Sequence, residues 1–207
     1  MTAIAIIPAR GGSTRIPRKN IRPFHGKPII AYSIETARVS CLFDEIIVST
    51  DHQDIVAVAK GYGAKVHMRA AKLCENEVGT QEVARAALLW WAGCQLERVT
   101  QHACCIYATA PLMSAHDLRV GYAGLLSFRP PADYVRSVGG EPCADAGQFY
   151  WGAVHTFIER PELKGNQNVV DIHIPKERVC DINTEEDWQR AERMYQELKE
   201  AEREHAS

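Results

Sequence analysis

The chain has 207 residues, of which 46% are hydrophobic and 24% charged, and its formal net charge is −2. This length and composition predict one soluble globular domain with a full core, and the near-neutral charge excludes bulk attraction to nucleic acid or to an anionic membrane. No apolar run approaches the ~20 residues of a membrane span, and the N-terminus lacks the layout of a signal peptide, so we expect a cytoplasmic protein.

Strands and helices are predicted to alternate through the first two-thirds of the chain. Expected strands cover residues 3–7, 45–49, 65–68 and 103–107, and expected helices cover residues 28–38, 53–60, 80–94 (capped by Thr80) and a segment that begins at the capping pair Ser114 and Asp117. This order predicts an α/β fold with a mostly parallel sheet and helices on both faces.

The pattern is less regular after Phe128. Strands are expected at residues 134–138, 149–154 and 169–174, and a charged amphipathic helix is expected from Thr184 to about Glu204. The apolar stripe of that helix consists of Trp188, Ala191, Met194, Tyr195 and Leu198.

The seven cysteines form no Cys-x-x-Cys pair, and their number is odd. This usage is typical of reduced thiols in a cytosolic protein. Cys104 and Cys105 lie inside an apolar run, which favours core packing over a nucleophilic role.

A basic loop with two glycines directly follows the first strand, with the sequence Ile7-Pro8-Ala9-Arg10-Gly11-Gly12-Ser13-Thr14-Arg15-Ile16-Pro17-Arg18-Lys19-Asn20. In open α/β sheets ligands bind at the carboxyl ends of strands, where this loop is expected to lie. The two glycines let the backbone approach an anion and expose its N–H groups. The four cations of the loop can neutralise several negative charges at once, so the loop predicts a phosphate site.

Other types of phosphate loop fit less well. A Walker loop requires Gly-x-x-x-x-Gly-Lys-Ser/Thr, and a dinucleotide fold requires Gly-x-Gly-x-x-Gly at a helix start; neither pattern is present. A nicotinamide-dependent oxidoreductase is therefore disfavoured. A solvated loop with surface arginines stays open as the simplest alternative.

The basic loop and three further motifs, at residues 47–51, 107–112 and 181–187, resemble the acylneuraminate cytidylyltransferase family. Within that family, residues 104–111 and 145–152 are most similar to members that act on pseudaminic acid. The resemblance implies a single Rossmann-like nucleotidyltransferase domain over residues 1–207 that transfers CMP from CTP to a nine-carbon acidic sugar with the help of Mg²⁺. It also implies a homodimer whose sugar-binding and dimerisation part covers about residues 128–175.

The resemblance assigns catalytic roles to Arg10, Lys19 and Asp181. It places nucleotide contacts at Pro8, Ala9, Arg10, Gly11, Gly12, Ser13, Lys19, Asn20, Arg69, Thr80, Ala108 and Thr109. It places sugar contacts at Asp145, Gln148, Phe149 and Tyr150. For Arg69, an exposed charge at a strand end is an equally good interpretation.

Asp181 and Asn183 are the implied Mg²⁺ ligands. They stand two residues apart at a predicted strand end, so both side chains face one way while Ile182 faces the core. The family pattern here is Asp-x-Asp, so Asn183 offers an oxygen but no charge. A surface turn without a metal is the alternative interpretation.

Two further departures from the family affect the functional prediction. Thr14 replaces a common lysine of the phosphate loop. Val138 and Ala144 are joined by only Gly139-Gly140-Glu141-Pro142-Cys143, where relatives carry a longer stretch. The alternatives that stay open are the same reaction on sialic, legionaminic or keto-deoxy-octulosonic acid, and a noncatalytic nucleotide-binding paralogue.

Overall fold

A computed structural model of the chain describes residues 3–75, 78–94, 100–128, 132–140, 144–160 and 168–205. The strands in these residues are β1 (Ala3–Pro8), β2 (Pro23–Phe24), β3 (Lys27–Pro28), β4 (Glu45–Thr50), β5 (Lys65–Met68), β6 (His102–Ile106), β7 (Tyr134–Gly139), β8 (Ala144–Ala153) and β9 (Val169–His173). The α-helices are α1 (Ile29–Val39), α2 (Gln53–Gly61), α3 (Thr80–Cys94), α4 (Ala115–Ser127), α5 (Val154–Glu159) and α6 (Glu185–His205).

Within the described residues the strands form one seven-stranded sheet, in the order β5-β4-β1-β6-β8-β7-β9, and a separate antiparallel pair of β2 and β3. Strands β5, β4, β1 and β6 run parallel to one another, and β9 runs parallel to β7. Strand β8 is antiparallel to both of its neighbours. The prediction of a mostly parallel sheet is therefore confirmed.

Helices cover both faces of the sheet. On one face Ile7 and Cys104 pack with residues of α1, α2 and α4, and on the other Ile6 and Cys105 pack with residues of α3 and α5. Because successive residues of a central strand alternate between two buried faces, these strands are continuous apolar runs. Cys104 and Cys105 are fully buried free thiols, as predicted.

A third apolar cluster attaches the C-terminal helix to the start of the chain. The ring of Phe24 contacts the rings of Tyr32 and Trp188 edge-on, at centroid distances of 5.4 and 5.5 Å. Trp188 and Ala191 are buried, and the rest of the predicted apolar stripe of α6 packs against them. Helix α6 therefore lies beside the β2–β3 pair and α1, next to the end of the basic loop.

Two sequence-based boundaries differ from the structure. Thr80 is the first residue of α3 rather than a cap before it. Strand β8 begins well before Phe149 because its polar first half pairs with β7, from Gly139 opposite Ala144 onward. The Ser114–Asp117 capping box is confirmed.

The predicted strand end at Asp181 and Asn183 is wrong, because these residues lie in an irregular segment before α6. Two of its backbone groups form hydrogen bonds with side chains instead of with a neighbouring strand. The Ile182 carbonyl accepts from Lys19 Nζ, and the Asn183 N–H donates to Asp187 Oδ2. The expected orientation holds nevertheless, since Ile182 is buried and Asp181 is exposed.

Strands β7 and β8 are directly consecutive and antiparallel, with Gly139 opposite Ala144. The short junction noted in the sequence connects them; its residues Glu141, Pro142 and Cys143 lie outside the described residues. In the part of the chain that is described, no helix combines the length and the apolar character needed to cross a membrane.

Helix α4 packs so closely on the sheet that Gly121 has no room for a side chain. A Cβ at this position would lie 2.8 Å from Phe149 Cε2 and 2.9 Å from Trp151 Cδ1. We expect Gly121→Ala to lower the free energy of unfolding by about 1–3 kcal/mol, measured by urea denaturation. Gly93→Ala in α3 is the matched control: a Cβ there meets no atom within 4 Å, so this change should be neutral or stabilising by up to ~1 kcal/mol. Equal effects of both changes would contradict the packing argument.

Candidate active site

A cleft of about 270 Å³ opens at the carboxyl ends of β1 and β6, where the sequence predicted a ligand site. Its lining combines the basic loop, the segment after β5, the start of α3, the segment after β6 and one residue before α6. The lining residues are Pro8, Arg10, Ser13, Thr14, Arg15, Lys19, Asn20, Arg69, Glu75, Val78, Thr80, Val83, Tyr107, Ala108, Thr109 and Asn183.

The junction between β4 and α2 holds the basic loop in place. The Ala9 N–H donates to the Ser49 carbonyl at 2.9 Å, and the Gly11 N–H donates to Asp51 Oδ1 at 2.7 Å. On the outer side of the loop, Arg18 pairs with Asp54 at 2.6 Å. These contacts give a structural role to the motif at residues 47–51.

Gly11 serves a different purpose from the one expected. Its N–H was predicted to be exposed for an anion, but Asp51 accepts it. A Cβ on Gly11 would lie 2.6 Å from the ring of His52, so glycine is required because the loop packs closely against that side chain. Gly12 is exposed, with open space around its Cα.

Lys19 is a half-buried cation of the loop that lines the cleft. Its Nζ donates to the Ile182 carbonyl at 2.7 Å. Burial lowers the pKa of Lys19; Asp181 opposes this shift, whereas Arg15 and Arg10 add to it. A half-buried amine among other cations is a site where an anionic ligand gains electrostatic energy.

Arg69 is fixed to the backbone on the opposite wall of the cleft. Its Nε and Nη2 both donate to the Ser49 carbonyl, at 3.1 and 2.9 Å. Burial lowers the pKa of Arg69, and Asp51 opposes that shift. Of the two interpretations left open for this residue, the structure places its side chain in the cleft lining rather than in free solvent.

Tyr107 lies in the cleft although it was not among the predicted contacts. Its hydroxyl donates to Asp145 Oδ2 at 3.3 Å, and burial raises its pKa. Beside it, the Tyr150 hydroxyl donates to Thr80 Oγ1 at 3.4 Å. The position of Tyr107, directly before the predicted contacts Ala108 and Thr109, is the signal that could have identified it.

Asp181 and Asn183 are close enough to share a ligand. Asn183 Nδ2 donates to Asp181 Oδ2 at 2.6 Å, and Asn183 lines the cleft. Asp187, which caps the start of α6, accepts the backbone N–H groups of Asn183 and Thr184 and so fixes this turn. One carboxylate and one amide are a donor set that fits a small divalent cation when phosphate oxygens complete the coordination. The described residues contain no group of three or more His, Cys, Asp or Glu side chains that could hold a metal alone.

The remaining predicted contacts lie away from the cleft surface. Ala9 is buried beneath the loop, and Phe149 is buried against α4. Gln148 is also buried and donates from Nε2 to the Arg178 carbonyl at 2.6 Å. Of the four residues predicted to bind the sugar, Asp145 and Tyr150 contact side chains that line the cleft.

This cleft, at a parallel-sheet edge with clustered cations in its lining, suits an anionic ligand. The model of the cytidylyltransferase protein family matches residues 4–126 of the chain. The chain belongs to the cytidylyltransferase family, and thus to the nucleotidyltransferase enzymes.

Two similar proteins extend this assignment. A pseudaminic acid cytidylyltransferase of Campylobacter jejuni subsp. jejuni serotype O:23/36 (strain 81-176) is 32% identical over 226 residues, which cover 94% of this chain and 97% of that protein. A second strain of the same species, serotype O:2, has a protein of the same name with the same identity and coverage over 227 residues. Both alignments are longer than the 207 residues of this chain, so the relatives carry residues that it lacks.

Solved structures support the fold. A CMP-2-keto-3-deoxy-manno-octonic acid synthetase in complex with CTP has a TM-score of 0.74 at 13% identity, with 96% of this chain and 100% of that chain covered. The Rv0371c protein of Mycobacterium tuberculosis H37Rv, in complex with manganese, has a TM-score of 0.64 at 15% identity, with 93% and 99% covered.

The lowered pKa of Lys19 predicts a pH-dependent effect on stability. Between the pKa in the folded protein and the ordinary value of 10.5, the unfolded chain binds more protons than the folded one, so the stability of the wild type rises with pH. Lys19→Met removes this contribution. We therefore expect the melting temperature of the variant, relative to wild type, to fall as the pH is raised from 7 towards 10.5. The exposed Lys60 provides the control Lys60→Met; parallel pH profiles for both variants would contradict the burial argument.

Proposed function

We propose that this protein transfers CMP from CTP to a nine-carbon acidic sugar, best matched by pseudaminic acid, and releases pyrophosphate. The observation that carries the proposal is the cleft at the ends of β1 and β6, with Arg10, Arg15, Lys19 and Arg69 in its lining. Phosphoryl transfer requires mainly positioning and charge neutralisation, which such a cleft provides. The two Campylobacter relatives support the choice of sugar.

In this proposal the basic loop binds the triphosphate. Lys19 and Arg10 neutralise the phosphates, and Ser13 and Asn20 lie beside them as hydrogen-bonding groups. The anomeric hydroxyl of the sugar attacks the α-phosphorus and gives up its proton to solvent. The bond between the α-phosphorus and the oxygen that bridges it to the β-phosphate breaks, and its electron pair leaves with pyrophosphate. Because charge builds up on the departing oxygens, cations already in place stabilise the transition state more than the ground state.

Asp181 and Asn183 would hold Mg²⁺ together with oxygens of the triphosphate. The bound ion would supply additional positive charge at the phosphates. The chain's own contribution is to present one carboxylate and one amide oxygen from a turn that Asp187 fixes. The missing second carboxylate predicts weak metal affinity before the nucleotide binds.

The wall of the cleft opposite the loop would bind the nucleoside. Arg69 presents a fixed planar guanidinium, and Thr80, Ala108 and Thr109 line the same cleft. Fixed polar groups discriminate between bases more strongly than an apolar surface does. We therefore propose selection of CTP over ATP and GTP.

The sugar would lie towards Tyr107 and Asp145, whose side chains are hydrogen-bonded to each other. Buried Gln148, Phe149 and Tyr150 would then act by supporting this wall rather than through surface contacts. A noncatalytic paralogue is the second candidate, because Thr14 lines the cleft where the family commonly has lysine and Asn183 replaces a carboxylate.

The decisive assay measures pyrophosphate release from CTP and Mg²⁺ with a panel of pseudaminic, sialic, legionaminic and keto-deoxy-octulosonic acids. We expect turnover with pseudaminic acid, lower rates when ATP or GTP replaces CTP, and at least ~100-fold loss of kcat in Lys19→Ala. Arg18→Gln is the matched control, because it removes a charge from the same loop on the side that faces Asp54; it should stay within about threefold of wild type. CTP binding without turnover on any sugar would instead favour the paralogue.

Asn183→Asp tests the metal pair. Two adjacent carboxylates repel each other without a cation and bind one more tightly. We expect a lower Mg²⁺ concentration for half-maximal activity and a larger rise in melting temperature on adding Mg²⁺ with CTP. Asp181→Asn should shift both quantities in the opposite direction. An unchanged Mg²⁺ dependence in both variants would place the metal elsewhere.

A further inference from the structure

The end of the basic loop is joined to the start of α6 by a two-pronged ion pair. Arg22 Nη1 lies 2.6 Å from Glu185 Oε2, and Nη2 lies 2.8 Å from Oε1. The guanidinium also stacks over the buried ring of Trp188, 4.3 Å from its centroid. This paired and stacked geometry restricts both the position and the orientation of the Arg22 side chain.

A second contact lies alongside the first. Lys19 Nζ donates to the Ile182 carbonyl at 2.7 Å. Lys19, in the loop, and Arg22, just after it, are three residues apart, and Ile182 and Glu185 are three residues apart in the opposite segment. The two contacts therefore form parallel links between the same two pieces of chain.

Asp181 and Asn183 flank Ile182, the residue whose carbonyl accepts from Lys19. The segment that contains them forms no strand, so no sheet ladder fixes its position. Its attachments include the cap by Asp187, which is internal to the turn and α6, the packing of buried Ile182 in the same apolar cluster as Trp188, and the links to the loop. The distance from the turn to the phosphate-facing lysine thus depends on contacts such as that between Arg22 and Glu185.

We propose that Arg22 and Glu185 are positioning residues that set the carboxylate-amide pair at the correct distance from Lys19, so that metal and triphosphate bind together. This inference rests on the proposed function, in which Asp181 and Asn183 hold the cation. Neither Arg22 nor Glu185 lines the cleft. Their effect is on geometry, and small displacements of groups that must act together on one ligand weaken their joint binding.

A second ion pair on α6 provides a control that distinguishes the positioning role from a general effect on stability. Lys199 and Glu202 form a pair at 2.6 Å on the same helix, without contact to the loop. An exposed pair within one helix contributes little to stability and nothing to the relation between loop and turn. Glu202→Gln is therefore the matched control for Glu185→Gln.

The test is calorimetric titration of CTP into the full chain, first with EDTA and then at increasing Mg²⁺. In EDTA we expect Glu185→Gln, Glu202→Gln and wild type to bind CTP within about twofold of one another, because the loop cations are unchanged. Mg²⁺ is expected to raise the affinity for CTP, and the midpoint of this rise defines a Mg²⁺ concentration for each variant. That midpoint concentration should increase by about three- to tenfold in Glu185→Gln and stay unchanged in Glu202→Gln. Arg22→Lys, which keeps the charge but not the two-pronged contact, should resemble Glu185→Gln.

Three other results would contradict the proposed positioning role. If Glu185→Gln and Arg22→Lys respond to Mg²⁺ as Glu202→Gln does, the positioning role is wrong while the proposed function stands. If Glu185→Gln loses CTP affinity already in EDTA, the pair supports the loop itself and the inference is again wrong. If wild-type CTP affinity ignores Mg²⁺, the metal assignment fails and the inference fails with it. Thermal melting of each variant verifies that it is folded.

Discussion

The electrostatic constraint at the centre of this protein is the partial burial of cations around one cleft at a sheet edge. Lys19 and Arg69 both lose hydration, and burial lowers the pKa of each. The structure stabilises them with backbone carbonyls, Ile182 for the lysine and Ser49 for the arginine. A carbonyl orients a cation without neutralising it, so the charge stays available to an anionic ligand. Asp51, a carboxylate close to the cleft, accepts a hydrogen bond from the Gly11 N–H.

The doubly covered sheet gives these carbonyls fixed positions. Ser49 is a fully buried residue of β4, and its carbonyl accepts from both Ala9 and Arg69. One rigid strand therefore aligns two walls of the cleft. The other wall depends on packing over a long sequence distance, because Trp188 and Phe24 hold α6 against the β2–β3 pair. The site thus combines a rigid strand edge with a helix attached by aromatic packing and an ion pair.

The described lining of the cleft is rich in cations and polar groups. In the proposed function the ligand is a triphosphate, and its binding energy would come from charge neutralisation in a partly dehydrated space. The departures noted in the sequence lie at the margins of this arrangement: Thr14 at the cleft lining, Asn183 in the segment before α6, and the short connection after β7. The strand edge at the ends of β1 and β6 is intact.

The sequence by itself determined the order of most strands and helices, the mostly parallel sheet, the core role of Cys104 and Cys105, and the location of the basic loop. These follow from periodicity and local capping, which depend on neighbouring residues. Tertiary structure alone decided that Asp51 accepts the Gly11 N–H, that Lys19 reaches a carbonyl 163 residues away, and that Gln148 and Phe149 are buried. It also decided that the segment around Asp181 is irregular rather than a strand end. Such contacts join segments far apart in the chain, and their geometry is set by how α6 and β8 pack, which no local pattern encodes.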